Sequence, residues 1–156
     1  QIKRNLHLPY NEFQTLHPIS LDASGTQSIA LLGLQAAGWI TFTGQSWELT
    51  ELDSYETPIE DGRLLDVVSG DLNQDGRKDL IFLETARHYL DLVLFEPGGR
   101  LRPANRWPVF EQRTFRGRRA SDQNEPREAL VTDLTGDNQS DLVVLVHDRI
   151  LLYPQE

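Results

Sequence analysis

The apolar residues of this chain fall in short runs, not at helical spacing. Leu80–Leu83 and Leu142–Val146 are unbroken, as suits strands covered on both faces. A shorter apolar segment precedes each run: Leu65, Val67 and Val68 before the first, Leu130 and Val131 before the second. A polar turn and a further apolar run follow, at Tyr89–Phe95 and Arg149–Tyr153. The N-terminal part keeps the same order, with Ile19 and Leu21 leading to Ile29–Ala37 and then to Gly38–Phe42. Ile29–Ala37 has the alanine content of a short helix, but its place in this order predicts strand. A fourth, more polar strand is expected at Trp47–Leu52 and at Trp107–Phe115. The expectation is therefore all-β.

The pattern is a repeat. GDLNQDGRKDLIFL from Gly70 aligns with TDLTGDNQSDLVVL from Thr132, so that Asp71, Asp75 and Asp79 fall on Asp133, Asp137 and Asp141. Leu72 falls on Leu134 and Leu80 on Leu142, and Leu92–Pro97 resembles Ile150–Pro154. LDASGTQSIALL from Leu21 is a weaker copy. Four strands per unit, repeated, is the signature of a β-propeller. The blades are expected at about 10–55, 60–116 and 126–156, within a single segment spanning 1–156. Residues 1–8 are read as an outer strand that completes another blade. Three blades are fewer than the roughly four to eight of ordinary propellers. Further blades completing the ring, self-association of copies, and an open sector remain three alternatives.

Each unit carries an acidic loop between its first two strands. In DLNQDGRKD, positions 1, 3, 5 and 9 are Asp71, Asn73, Asp75 and Asp79. Alternate side chains on a tight loop turn oxygens inward, and Gly76 permits the left-handed backbone that such a loop needs. The carbonyl of Arg77 supplies one more oxygen. This hard-oxygen set suits calcium better than magnesium, which prefers octahedral geometry and retained waters. An EF-hand begins similarly but needs a bidentate Glu at position 12; Phe82 stands there, inside an apolar run. The plain alternative is an acidic turn without metal, whose three aspartates within nine residues repel one another.

The second copy offers Asp133, Thr135, Asp137, Asp141 and the carbonyl of Gln139. Asn138 replaces glycine there and tolerates left-handed backbone. This site is expected to be weaker. The first copy, with Asp22, Ser24, Thr26 and Ala30, keeps one carboxylate. It is read as a turn that kept its shape and lost its metal.

These loops and strands resemble the FG-GAP/VCBS repeats of integrin-type β-propellers. The resemblance is specific at Asp71–Leu80 and Asp133–Leu142, weak at Asp22–Leu31, and covers roughly residues 18–154 with the strands. It implies calcium held in the loop between the first two strands of a blade, and a role in binding or adhesion. Thr135, Asn138 and the eroded first loop depart from the pattern.

Composition narrows the classes. The chain has 156 residues, 38% hydrophobic and 25% charged, a globular balance. The formal charge of −9 opposes nucleic acid and anionic membrane as a whole. Cysteine is absent, which excludes thiolate metal sites, thiol catalysis and disulfides. Methionine is absent too, read as processing or as a piece of something longer. No apolar run reaches the roughly 18 residues of a membrane helix, and no signal-peptide pattern opens the chain. An extracellular, cell-surface or periplasmic location is expected, where millimolar calcium fills weak sites.

Seven arginines lie at 100, 102, 106, 113, 116, 118 and 119, with Trp107, Phe110 and Phe115 among them. Arginine interleaved with aromatics can bind phosphates or bases. A solvated connection, with arginine stems over the aromatics, is preferred. Of His7, His17, His88 and His147, the last two precede the third strand of their units and are read as turn residues. No nucleophile elbow, HExxH helix or phosphate loop occurs. A non-enzymatic binding scaffold for an unnamed protein or carbohydrate ligand is expected. A carbohydrate-active or carbohydrate-binding propeller is the alternative, since an acidic chain always offers carboxylate pairs.

Overall fold

The computed structural model describes residues 12–21, 27–41, 50–96, 100–109 and 125–155. These residues form three antiparallel sheets and no helix. The first sheet orders β1 (Thr15–Ser20), β2 (Gln27–Leu32), β3 (Ala36–Thr41) and β4 (Thr50–Glu56). The second orders β5 (Leu64–Gly70), β6 (Asp79–Glu84), β7 (Tyr89–Glu96) and β8 (Arg100–Pro108). The third orders β9 (Glu128–Thr132), β10 (Asp141–Val146) and β11 (Arg149–Tyr153). Each sheet is a meander of hairpins, so neighbours in sequence are neighbours in space.

The unbroken apolar runs have a direct cause. Every residue of β6 is buried. Its side chains alternate between two cores, as the pleat requires. Leu80 and Phe82 join a core with Ile19, Leu32, Trp39 and Tyr55 of the first sheet. Ile81 and Leu83 join a core with Leu142, Val144 and Val146 of the third. The second sheet is thus sandwiched between the other two. The first strands stand together, β1 against β5 and β5 against β9. β5 and β9 approach so closely that a Cβ added at Gly70 would lie 2.1 Å from Cγ1 of Val131. Glycine is required there for space, not for backbone angle.

Three expectations need correcting. The polar fourth strand of the second unit is described over Arg100–Pro108, starting ahead of the expected Trp107, so this part of the arginine-rich stretch is strand and not a solvated connection. It is an edge strand, where Pro103 and an absence of alternation are tolerated, so no apolar pattern marks it. The fourth strand of the first unit is displaced the other way: it is described over Thr50–Glu56 and runs past the expected end at Leu52. Ile29–Ala37, expected as one strand, is divided by a turn at 33–35, and Ala36 and Ala37 open β3. β2 begins at Gln27, paired with Ser20. Without the carboxylates of the other copies, Gln27–Ile29 pair as ordinary strand. Asp22, Ser24 and Thr26, residues 1–8 with His7, Trp47, Phe110, Phe115 and the arginines at 113, 116, 118 and 119 lie outside the described residues.

Candidate metal centre

The β5–β6 loop is held by its own carboxylates. Asp71 Oδ1 accepts the amide of Asp75 (3.1 Å) and Oδ2 that of Gly76 (2.9 Å). Asn73 Oδ1 accepts the Asp75 amide as well (3.0 Å), and its Nδ2 donates to Asp75 Oδ2 (3.1 Å). Asp75 Oδ1 accepts the amide of Arg77 at 2.9 Å. Asp79 closes the loop: Oδ2 accepts Leu72 N (3.2 Å) and Oδ1 accepts Phe95 N of β7 (3.3 Å). Gln74 and Gly76 carry the loop through left-handed backbone, with φ of 61° and 82°.

The β9–β10 loop repeats this bonding. Asp133 accepts the amides of Gly136 (2.7 Å) and Asn138 (2.9 Å). Asp137 accepts that of Gln139 at 2.9 Å. Asp141 accepts Leu134 N (2.8 Å), Thr135 N (3.1 Å) and, across the hairpin, Gln155 N (3.0 Å). Gly136 and Asn138 have φ of 78° and 65°, so asparagine takes the backbone conformation of Gly76. The aligned aspartates therefore do the same work in both loops.

The two loops lie side by side at one end of the sheets. Gln74 Nε2 donates to Gln139 Oε1. Lys78 N donates to Leu21 O at 3.4 Å, which places the residue after β1 beside the β5–β6 loop.

The electrostatics differ between the aspartates. Burial is the main cause that pushes Asp79 above the usual carboxylate range, against the amides of Phe95 and Leu72, and the charges of Asp75 and Asp71 push it further. The Arg77 amide holds Asp75 low. The amides of Gln155 and Leu134 hold Asp141 low.

No three His, Asp or Glu side chains converge as a metal-holding group among the described residues. The carboxylates of each loop are turned onto backbone amides instead. In donor chemistry the set fits calcium: each loop offers three carboxylates and neutral oxygens, and each carboxylate oxygen that accepts one amide keeps a free lone pair. Asp79 is buried beside two like charges, which a cation relieves.

Several polar side-chain contacts carry no signal in the sequence. The Arg77 guanidinium caps the loop, with Nη2 on Asp75 Oδ2 (2.5 Å) and Nε on Phe95 O (2.9 Å). Asp91, buried on β7, accepts the Tyr55 hydroxyl (2.7 Å) and pairs with Arg106. Burial, then Asp91, pushes the Tyr55 hydroxyl far up, so it stays a donor. Glu84 accepts the amides of Arg63, Ala86 and Arg87 at 2.6–2.8 Å. Glu125 accepts His147 N at 3.0 Å. Pattern reading finds apolar and loop positions; these lone charged residues within strands and turns carry no periodic signal.

Among the described residues, three histidines and two more residues of the aromatic-flanked arginine stretch make defined contacts. His88 and His147 occupy the hairpin turns before β7 and β11, with φ of 62° and 48°. His88 Nδ1 donates to Glu125 O at 2.9 Å, and His147 Nδ1 stands 3.2 Å from Glu125 Oε1. His17 pairs with Asp66 at 2.8 Å, bridging the first and second sheets. Arg102 pairs with Glu96, and Trp107 packs edge-on against Tyr153. No helix among the described residues is long and apolar enough to cross a membrane.

No protein-family model matches the chain, and no curated protein matches it.

Proposed function

We propose that this chain is a calcium-binding β-propeller segment of FG-GAP/VCBS type, acting as a non-enzymatic binding or adhesion scaffold. The observation that carries the reading is the duplicated loop: two acidic loops with matching carboxylate-to-amide bonding, set side by side at one end of stacked sheets. On this reading Asp71, Asn73, Asp75, the Arg77 carbonyl and Asp79 hold one ion. Asp133, Thr135, Asp137, the Gln139 carbonyl and Asp141 hold the second, more weakly. The ion neutralises the aspartates and stiffens the hairpin; partner binding falls to loops at an end of the sheets. The partner is a protein or carbohydrate, met where calcium is millimolar.

Two features support the propeller. The sheets stack face to face in chain order, with their first strands together. The outward face of the third sheet also continues the series. Val68, Ile81 and Leu92 form a row across the second sheet, on the face packed against the third. Leu130, Val143 and Leu152 form the same row in the third sheet. Leu130 and Leu152 are 47% and 60% exposed. On the propeller reading a further sheet covers them, from this protein or from another copy.

Calorimetric titration of the chelator-treated chain tests the calcium sites. Binding of one or two ions is expected, with Asp79→Ala removing the stronger site and Asp141→Ala the weaker. Absence of binding heat, with no ion retained on dialysis, would refute the reading.

A further inference from the structure

The two loops differ at one charged position. At the seventh place the first has Arg77 and the second Gln139. Each lends its amide to the aspartate two residues before it, at 2.9 Å in both. The side chains then part. Gln139 is neutral and accepts a hydrogen bond from Gln74. Arg77 folds back over its own loop, with Nη2 on Asp75 Oδ2 and Nε on the carbonyl of Phe95. Phe95 lends its amide to Asp79 Oδ1. The guanidinium therefore sits among the proposed ligands, bonded to one of them and to the backbone that positions another.

We infer that Arg77 is the resident counter-cation of the first loop, holding it closed without metal and giving way when calcium enters. This rests on the calcium reading of the same loop. A guanidinium on Asp75 Oδ2 occupies a lone pair that an incoming ion needs, and its charge repels a divalent cation. Only a forked side chain spans the carboxylate and the Phe95 carbonyl together; an ammonium is a point charge. The consequence is specific. The first loop is the richer in ligands, yet it alone carries an internal competitor. Arg77 narrows the difference in affinity between the loops and keeps the first loop shaped when calcium is scarce.

Arg77→Gln, which installs the second loop's residue, tests this by melting and by calorimetry. In chelator the variant is expected to melt below the parent, and saturating calcium is expected to bring the two together. Its first-loop affinity for calcium should rise about tenfold at low ionic strength, and less in high salt, where the charge term is screened. Gln139→Arg should weaken the second loop in turn. Unchanged or weaker calcium binding by Arg77→Gln, with an unchanged melting point in chelator, would overturn the inference. If neither parent nor variant binds calcium, the calcium reading and the displacement both fall; a lower melting point of the variant in chelator would then leave Arg77 as a structural counter-cation only.

Discussion

Gly70 shows how much one residue decides in this molecule. Its position 2.1 Å from Val131 for any added Cβ means that β5 and β9 cannot both keep their places with a side chain there. Gly70→Ala is expected to cost about 1–3 kcal/mol by overpacking, read as a lower denaturant midpoint. In the third sheet the aligned residue is Thr132, so the repeat itself does not mark Gly70. The aspartates were legible because spacing alone fixes their backbone role: Asp71 and Asp133, like Asp79 and Asp141, accept matching amides. Arg77 was legible as a backbone position only. The path of a long side chain depends on what lies beyond the loop, here the Phe95 carbonyl.

At the scale of elements, polar groups lock strands that the apolar pattern only places. Tyr55 of β4 and Arg106 of β8 meet on Asp91 of β7, joining the first sheet to the second. Asp91→Ala leaves both partners without their acceptor, and is expected to destabilise by about 3 kcal/mol. The Tyr55 hydroxyl ionises less readily in the folded state than its ordinary 10.0. Its contribution is therefore complete below that pH and is lost as pH rises above it, because only the unfolded chain ionises there. Tyr55→Phe should flatten the fall in stability above about pH 10, measured by denaturant unfolding across pH. β6 and β10 were readable as strands because both carry unbroken apolar runs. β8 was not, because an edge strand with Arg100, Arg102, Pro103 and Arg106 has no apolar face to announce it.

At the scale of the whole molecule, the three sheets stack in chain order and the outward face of the third stays open. The contrast between equivalent positions makes this measurable. Leu90 pairs with Leu83 in the second sheet and is fully buried; Ile150 pairs with Leu145 in the third and is 63% exposed. Leu90→Glu buries an unpaired carboxylate and is expected to prevent folding. Ile150→Glu should change the stability of the isolated chain by no more than about 0.5 kcal/mol. Circular dichroism and thermal melting of the two variants compare them directly.

The central claim is that calcium belongs to the folded state of the two loops. Thermal melting of the wild-type chain, in chelator and then in calcium at about a hundred times the dissociation constant, tests it most directly. Binding to the folded state alone should then add about 2.7 kcal/mol per site, or roughly 5–10 °C for a chain of this size. Asp79→Ala should lose the first loop's share of that rise and keep the second loop's. An identical melting temperature in chelator and in millimolar calcium would contradict the account, and would make the loops acidic turns held by their own amides and by Arg77.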